Sequence, residues 1–564
     1  MTITIVDLPV EIQSHIIRML FFSLHRASME PDRIQLPFRA SSSEECTPDE
    51  ELPYRVWEES STSLRSPTLF PFNVALTCDL WREIVAGVAD YWPRLVFDVS
   101  KPRETRALLI AFDVVKDKLV KGQIEVLVYS SRELEKAEEN REVKVIMDAL
   151  QPYVPKCKSV TFHLTYASSL PPSYAFFLQD ASHLHTLEMC CRVDDMEAID
   201  IARQMVERIA LHDTHLEKSF SGLSDLVLSG PGFMDLMQCI PDPEWLTDLN
   251  LSLVIISHFE FTRDGPYSLV SFVEYLSKLN ISCLHLRHLS LAYEYEGDSY
   301  LLPAGYCPPY IPTGLLCFKS VSEAFIKNLY AISDITADHS LCFEDCSIPA
   351  NVRCEGGDSL HLDRIHDAAE GLSDSLCHIL KVWGGRRVTF NRCPAVNDEL
   401  LAWMGKQVDY VLPDDIFYPE NGTSVIELDR PLPAGERFSF SQSSRKGLPM
   451  WNTSSLHIRD CENFSPAALR GMLQARKDIV LRSIQRREEG QADQVAIDTS
   501  LAPVDDDQIM VSDLVVYSKI PLSKKDKTWF EANVDTFEVN WFTRIGDDSW
   551  TVTADIFTAR QADL

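Results

Sequence analysis

Leu223-Ser224-Asp225-Leu226-Val227-Leu228 spaces its leucines at i, i+3 and i+5. In a strand, alternate residues share a face, so Leu226 and Leu228 point the same way while Leu223 enters from the preceding turn. The same spacing returns at Leu246-Leu249-Leu251 and Leu286-Leu289-Leu291, with a near match at Leu184-Leu187-Met189. Weaker versions close on a cysteine: Leu341-Cys342-Phe343 to Cys346, Val388-Thr389-Phe390 to Cys393, and Leu456-His457-Ile458 to Cys461. Cysteine is small and readily buried, so it fits these strand ends as a core residue. Helix-like pieces lie between, at Pro266 to Leu279, Asp367 to Val382, Asn397 to Met404 and Ser465 to Arg476. Ser465 suits an N-cap, and Pro466 the first helical position. Strands alternating with helices place the chain among α/β proteins.

The rhythm extends outward in both directions. Upstream it predicts a helix from Thr105 to Lys121, a strand at Ile124 to Tyr129, a helix from Arg132 to Leu150 and a strand at Val160 to Leu164. Downstream, Leu514-Val515-Val516 and Phe537-Glu538-Val539 read as the last strands. The start of the chain is helical. Pro9 suits a first helical position, Glu11 complements the helix dipole, and Ile12, Ile16, Met19, Leu20 and Leu24 form an apolar stripe. A second helix is expected from Phe72 to Val85, with Val74, Cys78, Trp81 and Val85 on one face. Between them, Arg26 to Pro71 carries six prolines and polar runs such as Ser41-Ser42-Ser43, the texture of a disordered insert. Gly405 to Leu448 lacks periodicity and reads as another insertion, and Glu488 to Asp507 as an acidic surface loop.

Leu8, Pro9, Glu11 and Ile12, then Cys78 and Trp81, then Trp92 and Leu95, together resemble the F-box, the helical module that docks proteins onto the Skp-family adaptor of cullin-RING ubiquitin ligases. The whole chain resembles fungal-type F-box-like proteins carrying irregular leucine-rich repeats. That resemblance implies an N-terminal F-box-like helical module at 1–97, interrupted at about 26–71, then a leucine-rich-repeat solenoid at 98–545 and a tail at 546–564. It implies that Leu8, Pro9, Ile12, Ile16, Cys78 and Trp81 dock the adaptor, while the repeats present a target protein for ubiquitylation. The residues by themselves leave two other readings open. One is a repeat scaffold with no ligase role, whose N-terminal helices only cap the solenoid; the other is a generic α/β domain with leucine-rich strands.

Composition narrows the remaining classes. At 564 residues the chain exceeds one compact core, and 45% hydrophobic content is ordinary for a globular protein. A net charge of −31 is opposite to the basic footprint that nucleic acid or an anionic membrane requires. No apolar run reaches the roughly 18–20 residues of a membrane span, and Asp7 and Glu11 interrupt the only N-terminal apolar run, so an intracellular protein, cytoplasmic or nuclear, is expected. Fifteen scattered cysteines read as reduced thiols. Cys342, Cys346 and Cys354 lie near His339 and His361, but their spacings match no familiar zinc pattern, so neither metal nor cofactor is expected. There is no Walker loop, no nucleophile elbow, no His-Glu-x-x-His and no Gly-x-Gly-x-x-Gly, which favours a non-catalytic subunit. The pair Cys190-Cys191 ends a strand as buried structural thiols, and His183 and His185 flank Leu184 facing solvent.

Overall fold

A computed structural model describes residues 8–26, 71–115, 124–195, 221–239, 249–292, 308–410, 445–488 and 511–555. Within these ranges positions 76, 93, 178–180, 264, 350–351, 353–356, 366–370, 520–521, 534–537 and 546–548 are left out. The chain divides into two compact units, Met1–Tyr295 and Glu296–Leu564.

Among the described residues, the first unit opens with the helices α1 (Val10–Arg26), α2 (Phe72–Ala75) and α3 (Asp79–Ala86). Strands and helices then alternate: β1 (Arg94–Asp98), α4 (Pro102–Val115), β2 (Ile124–Tyr129), α5 (Lys136–Leu150), β3 (Cys157–Tyr166), β4 (Thr186–Val193), β5 (Asp225–Ser229), α6 (Gly230–Gln238), β6 (Asn250–Phe261), α7 (Leu269–Leu276) and β7 (Asn280–Leu291). Strands β1 to β7 pair in chain order, all parallel. Their register lines up Leu95, Val126, Val160, Leu187, Leu226, Val254 and Leu284 as one row, every member buried. This row is the physical content of the leucine spacing: one apolar rung per strand, covered by the helices. At roughly 1.5–3 kcal/mol per buried side chain, such rows dominate the favourable side of folding.

The second unit contains β8 (Tyr310–Lys319), α8 (Glu323–Ile332), β9 (Asp334–Glu344), β10 (Ser359–Asp363), α9 (Asp374–Val382), β11 (Arg387–Asn391) and α10 (Asp398–Met404). A small antiparallel pair, β12 (Val408–Tyr410) and β13 (Arg445–Gly447), precedes β14 (Ser455–Arg459), α11 (Pro466–Glu488), β15 (Asp513–Ser518), α12 (Lys524–Ala532), β16 (Glu538–Ile545) and β17 (Ser549–Asp555). Strands β8, β9, β10, β11, β14, β15 and β16 pair parallel in that order, and β17 closes the edge antiparallel. Phe318, Phe343, Leu362, Phe390, Ile458, Val516 and Trp541 form one fully buried row.

Local chemistry starts the helices where the sequence turns polar. Ser229, Ser268, Ser322, Ser373, Asn397 and Ser523 each accept a hydrogen bond from the backbone N–H three residues on, satisfying a donor that a helix start leaves orphaned. Ser465 does the same for α11, accepting from Ala468 N–H at 3.1 Å.

These findings correct the expected fold class. The α/β architecture is present, but an N-terminal F-box-like helical module followed by a leucine-rich-repeat solenoid is not what the chain builds. The N-terminal helices run directly into β1, because Trp92 is buried and donates its indole N–H to Val85 O at 3.0 Å, locking α3 to the strand entry. Within each compact unit the strands pair in chain order as a parallel sheet with helices between them, where a repeat solenoid across 98–545 was expected. Leucine spacing was the misleading sign: any parallel sheet covered by helices on one face demands it. Residues 549–555, expected within a tail, form β17. The helix expected over 72–85 is two helices, broken where Cys78 takes an extended backbone ahead of α3. The insert at about 26–71 lies outside the described residues apart from its two ends, as do 411–444 and 489–510 from the other two irregular stretches. Among the described residues, no helix is long and apolar enough to cross a membrane.

Candidate docking surface

The six residues expected to dock an adaptor separate into a buried set and a presented set. Trp81 is buried; its indole N–H donates to Gln13 Oε1 at 2.6 Å. Gln13 is buried as well, and its Nε2 donates back to Leu8 O at 2.7 Å. The polar head of Gln13 thus satisfies the indole and ties down the start of α1, while Ile17 on the same face is fully buried. Next to it Phe21 packs against Tyr91, ring centroids 4.9 Å apart. This is the inner face of α1.

The outer face remains open. Ile12, Met19 and Leu20 are 49%, 61% and 39% exposed, and Pro9 is exposed just before the helix; Val10, also exposed, stands two residues from Ile12 and so on the Gln13–Ile17 side. Leu8, Ile16 and Cys78 are half-buried at the boundary between the faces. The sequence stripe Ile12-Ile16-Met19-Leu20 is therefore turned away from the protein's own core. Sequence reasoning read Trp81 as part of the presented surface and did not single out Val10 or Gln13. A Gln among apolar neighbours on a helix, facing a Trp that needs an acceptor, was the available signal.

At the strand ends of the second unit, Lys319, Glu344, Arg364, Asp363 and Arg392 form an ion-pair ladder. Arg392 binds Asp363 in a fork, at 3.2 and 2.7 Å. Burial alone would raise Glu344, but Lys319 and Arg364 hold its carboxyl below the ordinary range; at Asp363 burial wins and the carboxyl is raised despite Arg392. With three cations shared between two carboxylates, such a ladder joins strands through ion pairs without presenting a reactive group.

In the cysteine–histidine group near 339–361, the register sets His361 of β10 directly opposite Cys342 of β9, and Cys342 also lies beside Cys317 on β8. Cys346 is buried, with Sγ 3.1 Å from Glu344 O, acting as the core residue expected there. His339 is exposed, and Cys354 lies outside the described residues. His361 sits half-buried on β10, where burial and then the charges of Arg387, His457 and Arg459 lower its pKa to about 4. Cys393 and Cys461 are buried strand-end residues as expected, and His183 and His185 are exposed around buried Leu184.

Gly384 and Gly385 stand between Trp383, the C-cap of α9, and β11. A Cβ on Gly385 would stand 2.2 Å from the Trp383 ring and 2.5 Å from Gly357 O, so close approach requires the glycine. No family model and no curated protein sequence matches this chain.

Proposed function

We propose that this chain is the substrate-recognition subunit of a cullin-RING ubiquitin ligase, held to a Skp-family adaptor by the outer face of α1. The carrying observation is that face itself: Ile12, Met19 and Leu20 are exposed on one helix, with Pro9 just before it, while Gln13 and Ile17 on the other side anchor it against Trp81. Contiguous exposed apolar surface marks interfaces. The likeness of Leu8, Pro9, Glu11 and Ile12 to the adaptor-binding motif supports a helical adaptor as the occupant. The chain would perform no chemistry; it would hold a target near the ubiquitin-charged enzyme and raise its effective concentration. Such assemblies work in the cytoplasm and nucleus, and that is where this reading places the protein.

A second reading is supported by the burial of Trp81 and Trp92 and the direct run into β1. Here the chain is an interaction scaffold with no ligase role, its first helices closing the end of the sheet. Co-purification of the full chain with a Skp-family adaptor separates the two. The ligase reading expects a stable complex that Ile12→Asp with Met19→Asp abolishes and Trp81→Phe weakens only slightly. Absence of any complex with the unaltered chain discards it in favour of the scaffold.

A further inference from the structure

The sheet face of the first unit holds a second, unrelated feature. Parallel register sets His163 of β3 directly opposite Cys190 of β4. Glu188 lies two residues before Cys190, and the period-two alternation of a strand puts both on the same face. The intervening Met189 and the flanking Leu187 and Phe162 are buried on the apolar side, so the trio occupies the other face. His163 Nε2 lies 3.0 Å from Glu188 Oε1, and Cys190 Sγ donates to the same carboxylate at 3.9 Å. The nitrogen, oxygen and sulfur all lie within 4.8 Å of one another, and all three side chains are half-buried.

We infer that His163, Glu188 and Cys190 form a zinc site, with the three side chains as ligands and a fourth position left open. Zinc bonds of about 2.0–2.3 Å to nitrogen, oxygen and sulfur place tetrahedral ligand atoms roughly 3.3–3.7 Å apart. The observed group is within a few tenths of an ångström to about one ångström of that arrangement. The donor set selects the metal class: calcium and magnesium take oxygen ligands, whereas imidazole with sulfur suits zinc. One thiolate and one carboxylate also balance the ion's two charges.

As the Zn–S bond forms, the Cys190 thiol proton leaves to solvent; the Nε2 proton that His163 donates to Glu188 is lost as solvent protonates Nδ1, and Nε2 and the freed carboxylate each bond the metal. Metal binding is therefore expected to release a proton and to tighten as pH rises. An open fourth position, as in zinc centres with three protein ligands, leaves room for water or for a donor brought by a partner. The site needs neither the adaptor nor α1, so it stands or falls separately from the proposed function.

The test uses the full chain, stripped with a chelator and titrated with zinc against a chromophoric competitor. One tight zinc per chain is expected. Loss of an outer-shell partner typically weakens metal sites roughly 10–100-fold, so Cys190→Ser and His163→Gln should each weaken binding by about 100-fold or more. Glu188→Gln keeps the side-chain shape and should fold like the parent while still weakening zinc. Cobalt(II) should give a sulfur-to-metal charge-transfer band that Cys190→Ser removes, and Cys342→Ser should leave both readouts intact. No saturable zinc binding, or zinc binding that survives Cys190→Ser, overturns the inference.

Discussion

Gln13 carries more of the N-terminal architecture than its polarity suggests. It receives the indole N–H of Trp81 and returns a hydrogen bond to Leu8 O, so one buried amide joins α3 to the first turn of α1. Gln13→Met keeps the volume but leaves the buried indole N–H without its acceptor, which typically costs about 1–3 kcal/mol. The expected result is a lowered urea midpoint for the first unit, with an unaltered outer face of α1. His361 makes a second argument at this scale. Its ordinary value of 6.5 falls to about 4 in the fold, chiefly through burial and then through Arg387, His457 and Arg459. Because the folded value is depressed, the unfolded chain binds the proton first as pH falls. Stability from this residue is full above about pH 6.5 and is lost as pH drops toward 4, by an amount on the order of 3 kcal/mol at the low end. His361→Gln should flatten that part of the stability-versus-pH curve; an unchanged slope between pH 6.5 and 4 would contradict the account.

Among elements, the corners after five strands of the second unit are built the same way. Ser320, Asp345, Arg364, Arg392 and Asp460 follow β8, β9, β10, β11 and β14 and all take positive φ of 49–58°. Each is followed by a buried residue: Val321, Cys346, Ile365, Cys393 or Cys461. The left-handed residue swings the chain off the sheet so that this next side chain drops into the core. A β-branched side chain resists such a conformation, at roughly 1–2 kcal/mol, while glycine adopts it freely. Asp460→Val should therefore destabilise by about that amount, and Asp460→Gly should be near neutral, as read by chemical denaturation. Equal effects of the two would rule out backbone strain as the cause. This corner also explains what was legible in sequence. Leucine rows and closing cysteines impose a period, so strands such as β14 and β15 and the cap at Ser465 could be read directly. The break at Cys78 could not, because apolar spacing from Val74 to Val85 is blind to a local extended residue. Nor could His163, Glu188 and Cys190 be seen together: twenty-five residues separate His163 from Glu188, and only the β3–β4 register unites them. Motif searches read along the chain, whereas this cluster is read across it. Trp81 was identified as important but assigned to the wrong side of the helix pair, since a stripe of apolar residues does not say which of two faces will find a covering element.

For the whole molecule, the governing quantity is charge. Lysines and arginines number 53 against 84 aspartates and glutamates, leaving −31. The internal ladders offset little of it: the run from Lys319 to Arg392 leaves one positive charge over, and partly exposed pairs are typically worth only about 0–1 kcal/mol each. Two effects of added salt then compete. Screening weakens each favourable pair slightly, but it also weakens repulsion among a large excess of carboxylates, which opposes the compact state. Raising ionic strength from roughly 0.01 to 0.15 M shortens the Debye length from about 30 to about 8 Å. That distance spans many like charges on one unit but still exceeds the 2.7–3.6 Å of the pairs in the ladder. The long-range repulsion is therefore the term that salt removes first. The expected outcome is stabilisation by about 1 kcal/mol or more, seen by calorimetry as a first unfolding transition raised by roughly 2–4 °C. A midpoint that falls with salt would show instead that the ion-pair ladders, and not the excess of acid, set the electrostatic balance of the fold.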